Sequence, residues 1–95
     1  MFIGKRFATR GITEKVPLAL QVIMWNLIDT MDITKDYLQV FELSEENGKQ
    51  KIIHSQEQPP YKKEYLFNTG TPFLNAKIFV IDDETHSTML FNYEY

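Results

Sequence analysis

The spacing of apolar positions changes between two periods along the chain, and those changes predict its elements. Over residues 16–31 (VPLALQVIMWNLIDTM) the spacing is helical. Val16, Leu20, Ile23, Met24, Leu27, Ile28 and Met31 share one arc of a wheel turned ~100° per residue, as in a helix lying on a core. Pro17 suits the first turn, where its missing N–H costs nothing. Thr13 is a candidate cap, with Glu14 favourable at the positive end of the helix dipole. Asp29 and Asp32 are disfavoured at the negative end, so the helix is expected to stop near Met31. Elsewhere period two prevails. Residues 2–12 alternate and predict a first strand, with Gly11 turning the chain into the helix. Residues 37–44 (YLQVFELS) are aromatic and branched and predict a strand. Asn47-Gly48 tolerates the positive φ of a type I′ hairpin turn, which sets Glu46 opposite Lys49, Leu43 opposite Ile52 and Phe41 opposite His54. The second arm, residues 50–57, ends before Pro59-Pro60. Tyr61, Lys63, Tyr65 and Phe67 line one side of a further strand whose other side is wet, which suits an edge. Residues 68–72 (NTGTP) form a loop. Residues 76–81 (AKIFVI) make the best candidate for a central strand, residues 82–85 turn, and residues 86–91 return antiparallel to it.

The order β-α-β-β-β-β-β predicts an α+β two-layer sandwich: one helix on a mostly antiparallel sheet, in a single domain of residues 1–95. The helix has one feature beyond what a sheet demands. Leu18, Val22 and Trp25, at i, i+4 and i+7, form a second apolar stripe flanked by Gln21, Asn26 and Asp29. Two readings stay open. A loop or terminus covers the stripe within the chain, as apolar stripes usually are covered. Alternatively the stripe is a contact for a protein partner or for a second copy across a two-fold axis.

The chain also resembles a known family. The likeness is carried by Thr9-Arg10-Gly11-Ile12, Pro17, Leu20-Gln21, Trp25, Ile28-Asp29, Tyr37-Leu38-Gln39-Val40-Phe41 and Gln56-Glu57. It continues in Pro60-Tyr61, Lys77-Ile78-Phe79-Val80-Ile81-Asp82-Asp83, His86-Ser87-Thr88-Met89-Leu90 and Glu94-Tyr95. These segments resemble an uncharacterised domain-of-unknown-function family of short proteins from low-GC Gram-positive bacteria and their phages. The resemblance implies a compact protein, from a mobile element on one reading, and transfers no catalytic residue.

Composition narrows the chemistry. Cysteine is absent, which removes disulfides, thiolate zinc sites and cysteine nucleophiles. A net charge of −3 is too weak and of the wrong sign for a broad nucleic-acid surface. Residues 1–10 have no apolar core of a secretory signal, and the longest apolar stretch is interrupted by Gln21, Asn26 and Asp29. A cytoplasmic protein is therefore expected.

Four groupings merit weighing against ordinary structure. Asp82, Asp83, Glu84 and His86 offer ligands to a hard cation, but Asp and its neighbours are equally at home in a solvated turn. His54-Ser55 and His86-Ser87 are each neighbours on a strand and so point to opposite faces, which removes them as nucleophile–base pairs. Lys5, Arg6, Arg10 and Lys15, and separately Lys62-Lys63, with Phe7, Tyr61 and Tyr65, would suit single-stranded nucleic acid only if they shared a face. The segment from Gln56 through Pro59-Pro60 to Tyr61 is either an extended recognition loop or a crossover between strands. The resulting expectation is a small protein-binding module with no catalytic site, metal or cofactor. A nucleic-acid-associated accessory protein comes second and a metal-dependent enzyme third.

Overall fold

Thr9 decides how the chain leaves its first strand. In the computed structural model, which describes residues 2–70 and 72–95, β1 (Lys5–Ala8) ends there and a short helix, α1 (Arg10–Lys15), begins. The Thr9 hydroxyl oxygen accepts the Ile12 N–H at 3.3 Å and caps α1. Thr13, the cap expected from sequence, lies inside this helix and donates its hydroxyl to the Arg10 carbonyl. Gly11 does not turn the chain. It sits within α1, where a Cβ would come within 2.8 Å of the Glu94 carboxylate.

The main helix, α2 (Leu18–Asp29), is accordingly shorter than residues 16–31 and has a companion. Pro17 is its N-cap residue, one position before the first turn. Val16 and Met31 flank the helix and are buried all the same. Leu20, Met24 and Ile28 of α2, Ile12 of α1, Val16 and Phe2 pack on Phe41, Leu43, Ile52, Ile78, Val80, Met89 and Phe91 of the sheet. Full burial of each such side chain contributes about 1.5–3 kcal/mol. No helix among the described residues is long and apolar enough to cross a membrane.

The strands β2 (Leu38–Glu46), β3 (Lys49–Gln56), β4 (Tyr61–Phe67), β5 (Ala76–Asp82) and β6 (His86–Phe91) join β1 in one sheet of order β1-β6-β5-β2-β3-β4. Only β1 with β6 is parallel; the other neighbours are antiparallel. The fold is thus the expected α+β arrangement, helices on one face of a mostly antiparallel sheet. The β2–β3 hairpin has the anticipated register, Glu46–Lys49, Leu43–Ile52 and Phe41–His54. Asn47 (φ 53°) and Gly48 (φ 76°) occupy its two turn positions. β4 lies at the edge and β5 in the interior, as their patterns suggested.

Residues 57–60 are not a crossover. β3 and β4 pair directly from Gln56–Tyr61 onward, so these residues close a hairpin. Of the expected loop at 68–72, Thr71 lies outside the described residues. A 3-10 turn, Asn92–Glu94, ends the chain. There Glu94 Oε1 accepts the Phe91 N–H at 2.7 Å and the Thr9 hydroxyl at 2.9 Å, tying the C-terminus to the start of α1.

Candidate interaction surfaces

The second stripe of the main helix divides. Leu18 and Val22 stand in solvent, 73% and 49% exposed, whereas Trp25 is half-buried against the core. Trp25 is held from outside as well. The Arg6 guanidinium lies 4.7 Å from its ring centroid. Arg6 also donates to Asp29, one turn on, with Nη1 3.0 Å from Oδ2, and to the Phe2 carbonyl. Alternation in β1 turns Arg6 toward the helical layer, and helical spacing brings Trp25 and Asp29 together beneath it.

A second surface lies on the far side of the sheet. Since Phe41, Ile78, Val80 and Met89 face the helices, their strand neighbours face away. Cross-strand pairing sets Phe7, Thr88, Ile81 and Leu38 in one row, and Leu90, Phe79, Val40 and Ser55 in the next. Phe7 is 51% exposed and Tyr95, whose ring meets Phe79 edge-on at 5.8 Å, is 74% exposed. Beyond these rows the face turns polar. Lys77 pairs with Glu42, and the Lys51 ammonium sits 3.1 Å from Glu46 and 3.2 Å from Glu64. Its hydrogen bonds to those two carboxylates raise the Lys51 pKa.

On the helical face the interior is partly polar. Gln39, Gln50, His54 and Gln56 are buried at the alternate positions they share with Phe41, Leu43 and Ile52. The Gln39 amide nitrogen donates to Gln56 Oε1 at 2.7 Å and to the Asp36 carbonyl at 2.9 Å. Its oxygen is therefore the group facing His54 Nε2 at 2.6 Å, and the imidazole donates that hydrogen bond. Gln56 in turn donates to the carbonyls of Thr34 and Pro59, and Gln50 brackets Leu74 through both of its backbone groups. These glutamines do the work of secondary structure for three loops. Their signal in sequence was the period-two spacing that put polar residues on the core face.

His54 stacks on Phe41 at 4.4 Å and meets Tyr61 edge-on at 5.3 Å. Burial pushes its pKa down from 6.5 to about 4. Its Nδ1 has no hydrogen-bond partner among the described residues, as is true of the buried Ser87 hydroxyl. Burial, a hydrogen bond with Tyr65 and the charge of Asp32 together raise the Tyr61 hydroxyl to about 12.

The residues singled out for chemistry are mostly dispersed. Asp82 is buried, with Oδ1 3.3 Å from the Phe2 amide. Asp83 accepts hydrogen bonds in the turn from the His86 and Thr85 backbone and the Thr85 hydroxyl, and the His86 amide is the chief cause of its lowered pKa. His86 is 3.0 Å from Asp83 and packs against Phe7 on the outer face. Among the described residues no three His, Asp or Glu side chains gather in a ligating arrangement. Ser87 and His54 both face the helices, but β5 and β2 lie between their strands, which separates them by roughly 14 Å. The basic residues occupy opposite edges of the sheet. Lys5 and Arg6 are on β1, Lys62 and Lys63 on β4. Arg10 pairs with Glu14 at 2.9 Å, and Lys15 lies 5.9 Å from the rings of both Phe91 and Tyr93.

Comparison with known proteins agrees with the resemblance noted from sequence. A family model described as "Staphylococcal protein of unknown function (DUF960)" matches residues 5–94. A crystal structure of a protein of unknown function from Enterococcus faecalis is similar throughout. Its TM-score is 0.87 and its identity 26%, over 97% of this chain and 91% of that one. No curated protein matches the chain.

Proposed function

This chain belongs to the family of Staphylococcal proteins of unknown function, and on that footing we propose that it is a cytoplasmic protein-binding module that acts by contact rather than by catalysis. One observation carries the reading. Leu18 and Val22 stand exposed one turn apart on α2, beside a tryptophan fixed by Arg6 and Asp29. Exposed apolar groups rimmed by polar ones mark contact sites, and a pre-positioned aromatic beside them loses little entropy on binding. The disposition of the polar groups supports the same reading. The buried glutamines are committed to holding loops, and the Arg6, Arg10 and Lys51 side chains are already paired.

The test places a photo-activated cross-linking residue at Leu18 or Val22 and irradiates cells of the native host. A discrete protein adduct is expected, lost in the presence of Trp25→Ala with the fold retained. Adducts no different from those formed at the exposed Thr13 would overturn the proposal.

A further inference from the structure

The helices cover one face of the sheet, and we infer that the bare face is where two copies of the chain pair, sheet against sheet, about a two-fold axis. The inference rests on the reading of the chain as a binding protein and supplies one partner for it, on a surface separate from the helix stripe.

Three observations carry it. The first is apolar continuity. Phe7, Ile81, Leu38, Leu90, Phe79 and Val40 form a block two rows deep across four adjacent strands, with Thr88 the polar residue among them. Leu38, Val40, Phe79 and Ile81 remain partly exposed there, whereas Leu90, 8% exposed, is already covered within the chain. Side chains of this kind sit on the inner faces of two-sheet sandwiches, not against water.

The second is shape and area. A twisted sheet is complemented best by a sheet of the same twist, stacked at about 10 Å. A second copy supplies that surface by identity, through an isologous contact. Six strands at a spacing of ~4.8 Å, four to nine residues long, present a whole face, apolar and polar parts together, on the order of 600 Å². This approaches the roughly 800 Å² per partner of a standard interface, and the projecting rings of Phe7 and Tyr95 add to it.

The third is charge. By register Lys5, Lys49, Lys51, Lys62 and Lys77 share this face with Glu42, Glu46 and Glu64, so both signs are interspersed and a two-fold pairing sets lysines of one copy within reach of glutamates of the other.

Light scattering coupled to size exclusion, from about 5 to about 500 μM protein, reads the result directly. The wild-type mass should rise toward that of two chains. Phe7→Lys, on a half-exposed edge position that folding tolerates, should weaken pairing at least tenfold. Val40→Lys should do the same from the opposite side of the block, on β2 in the middle of the sheet, with circular dichroism confirming the fold of both. Leu18→Ser should pair like the wild type. A wild type that stays monomeric throughout overturns the inference while leaving the cross-linking test at Leu18 unaffected. Pairing abolished by Leu18→Ser but retained in Phe7→Lys overturns it too, and moves self-association to the helix stripe.

Discussion

His54 should make the fold sensitive to mild acid, by an amount the structure sets. The imidazole is fully buried between Phe41 and Tyr61, donates a hydrogen bond to Gln39, and titrates near 4 instead of 6.5. Between those values the unfolded chain binds a proton that the native chain refuses, so stability falls as pH falls. The full loss, complete below about pH 4, is about 3 kcal/mol, and about 2 kcal/mol of it is gone by pH 5. That is a large share of the 5–15 kcal/mol typical of a domain. Urea unfolding followed by the fluorescence of Trp25, the single tryptophan, measures it. The control is His54→Leu, which cannot titrate. The variant leaves the Gln39 oxygen without its donor, at a cost of about 1–3 kcal/mol that does not vary with pH. The readout is therefore the slope and not the level. From pH 7.5 to 5 the wild type should lose about 2 kcal/mol more than the variant. Parallel curves for the two proteins would refute the reasoning, and so would an ordinary His54 titration near 6.5 in the NMR spectrum of the native state.

Two further predictions concern the backbone. Gly48→Val should destabilise by about 1–3 kcal/mol through strain at φ 76°, since no atom lies within 4 Å to resist the side chain itself; an unchanged thermal midpoint would count against the turn assignment. Gly4→Ala should cost a similar 1–3 kcal/mol for the opposite reason, because its Cβ would fall 2.4 Å from the Thr85 carbonyl oxygen, a backbone atom with little room to yield. A variant melting with the wild type would show that residues 2–4 do not pack against the β5–β6 turn.

Local chemistry wrote much of this fold into the sequence. Asn47-Gly48 fixed a turn, the turn fixed the register of β2 on β3, and helical spacing put Leu20, Met24 and Ile28 on the core. Signals of this kind act within a few residues and can be read there. The short helix α1 could not be, because its cap Thr9 is tied to Glu94, whose carboxylate also fills the space a side chain at Gly11 would need, more than eighty residues away. The parallel pairing of β1 with β6 is equally remote, since a strand's own alternation says which face it buries and nothing about its neighbour.

The candidate surfaces divide the same way. The helix stripe was visible as a period of residues, but core packing and Arg6, folding over from β1, together set Trp25 apart from the exposed Leu18 and Val22. The bare sheet face left only one trace in the sequence, the unbroken apolar run of residues 78–81, which places apolar side chains on both sides of β5. Val40, Phe79, Ile81 and Leu90 look like core residues in any strand, and they lie outside because both helices pack on the other side. Which side of a sheet receives the helices is decided by the sum of all the packing at once, and no single segment carries it.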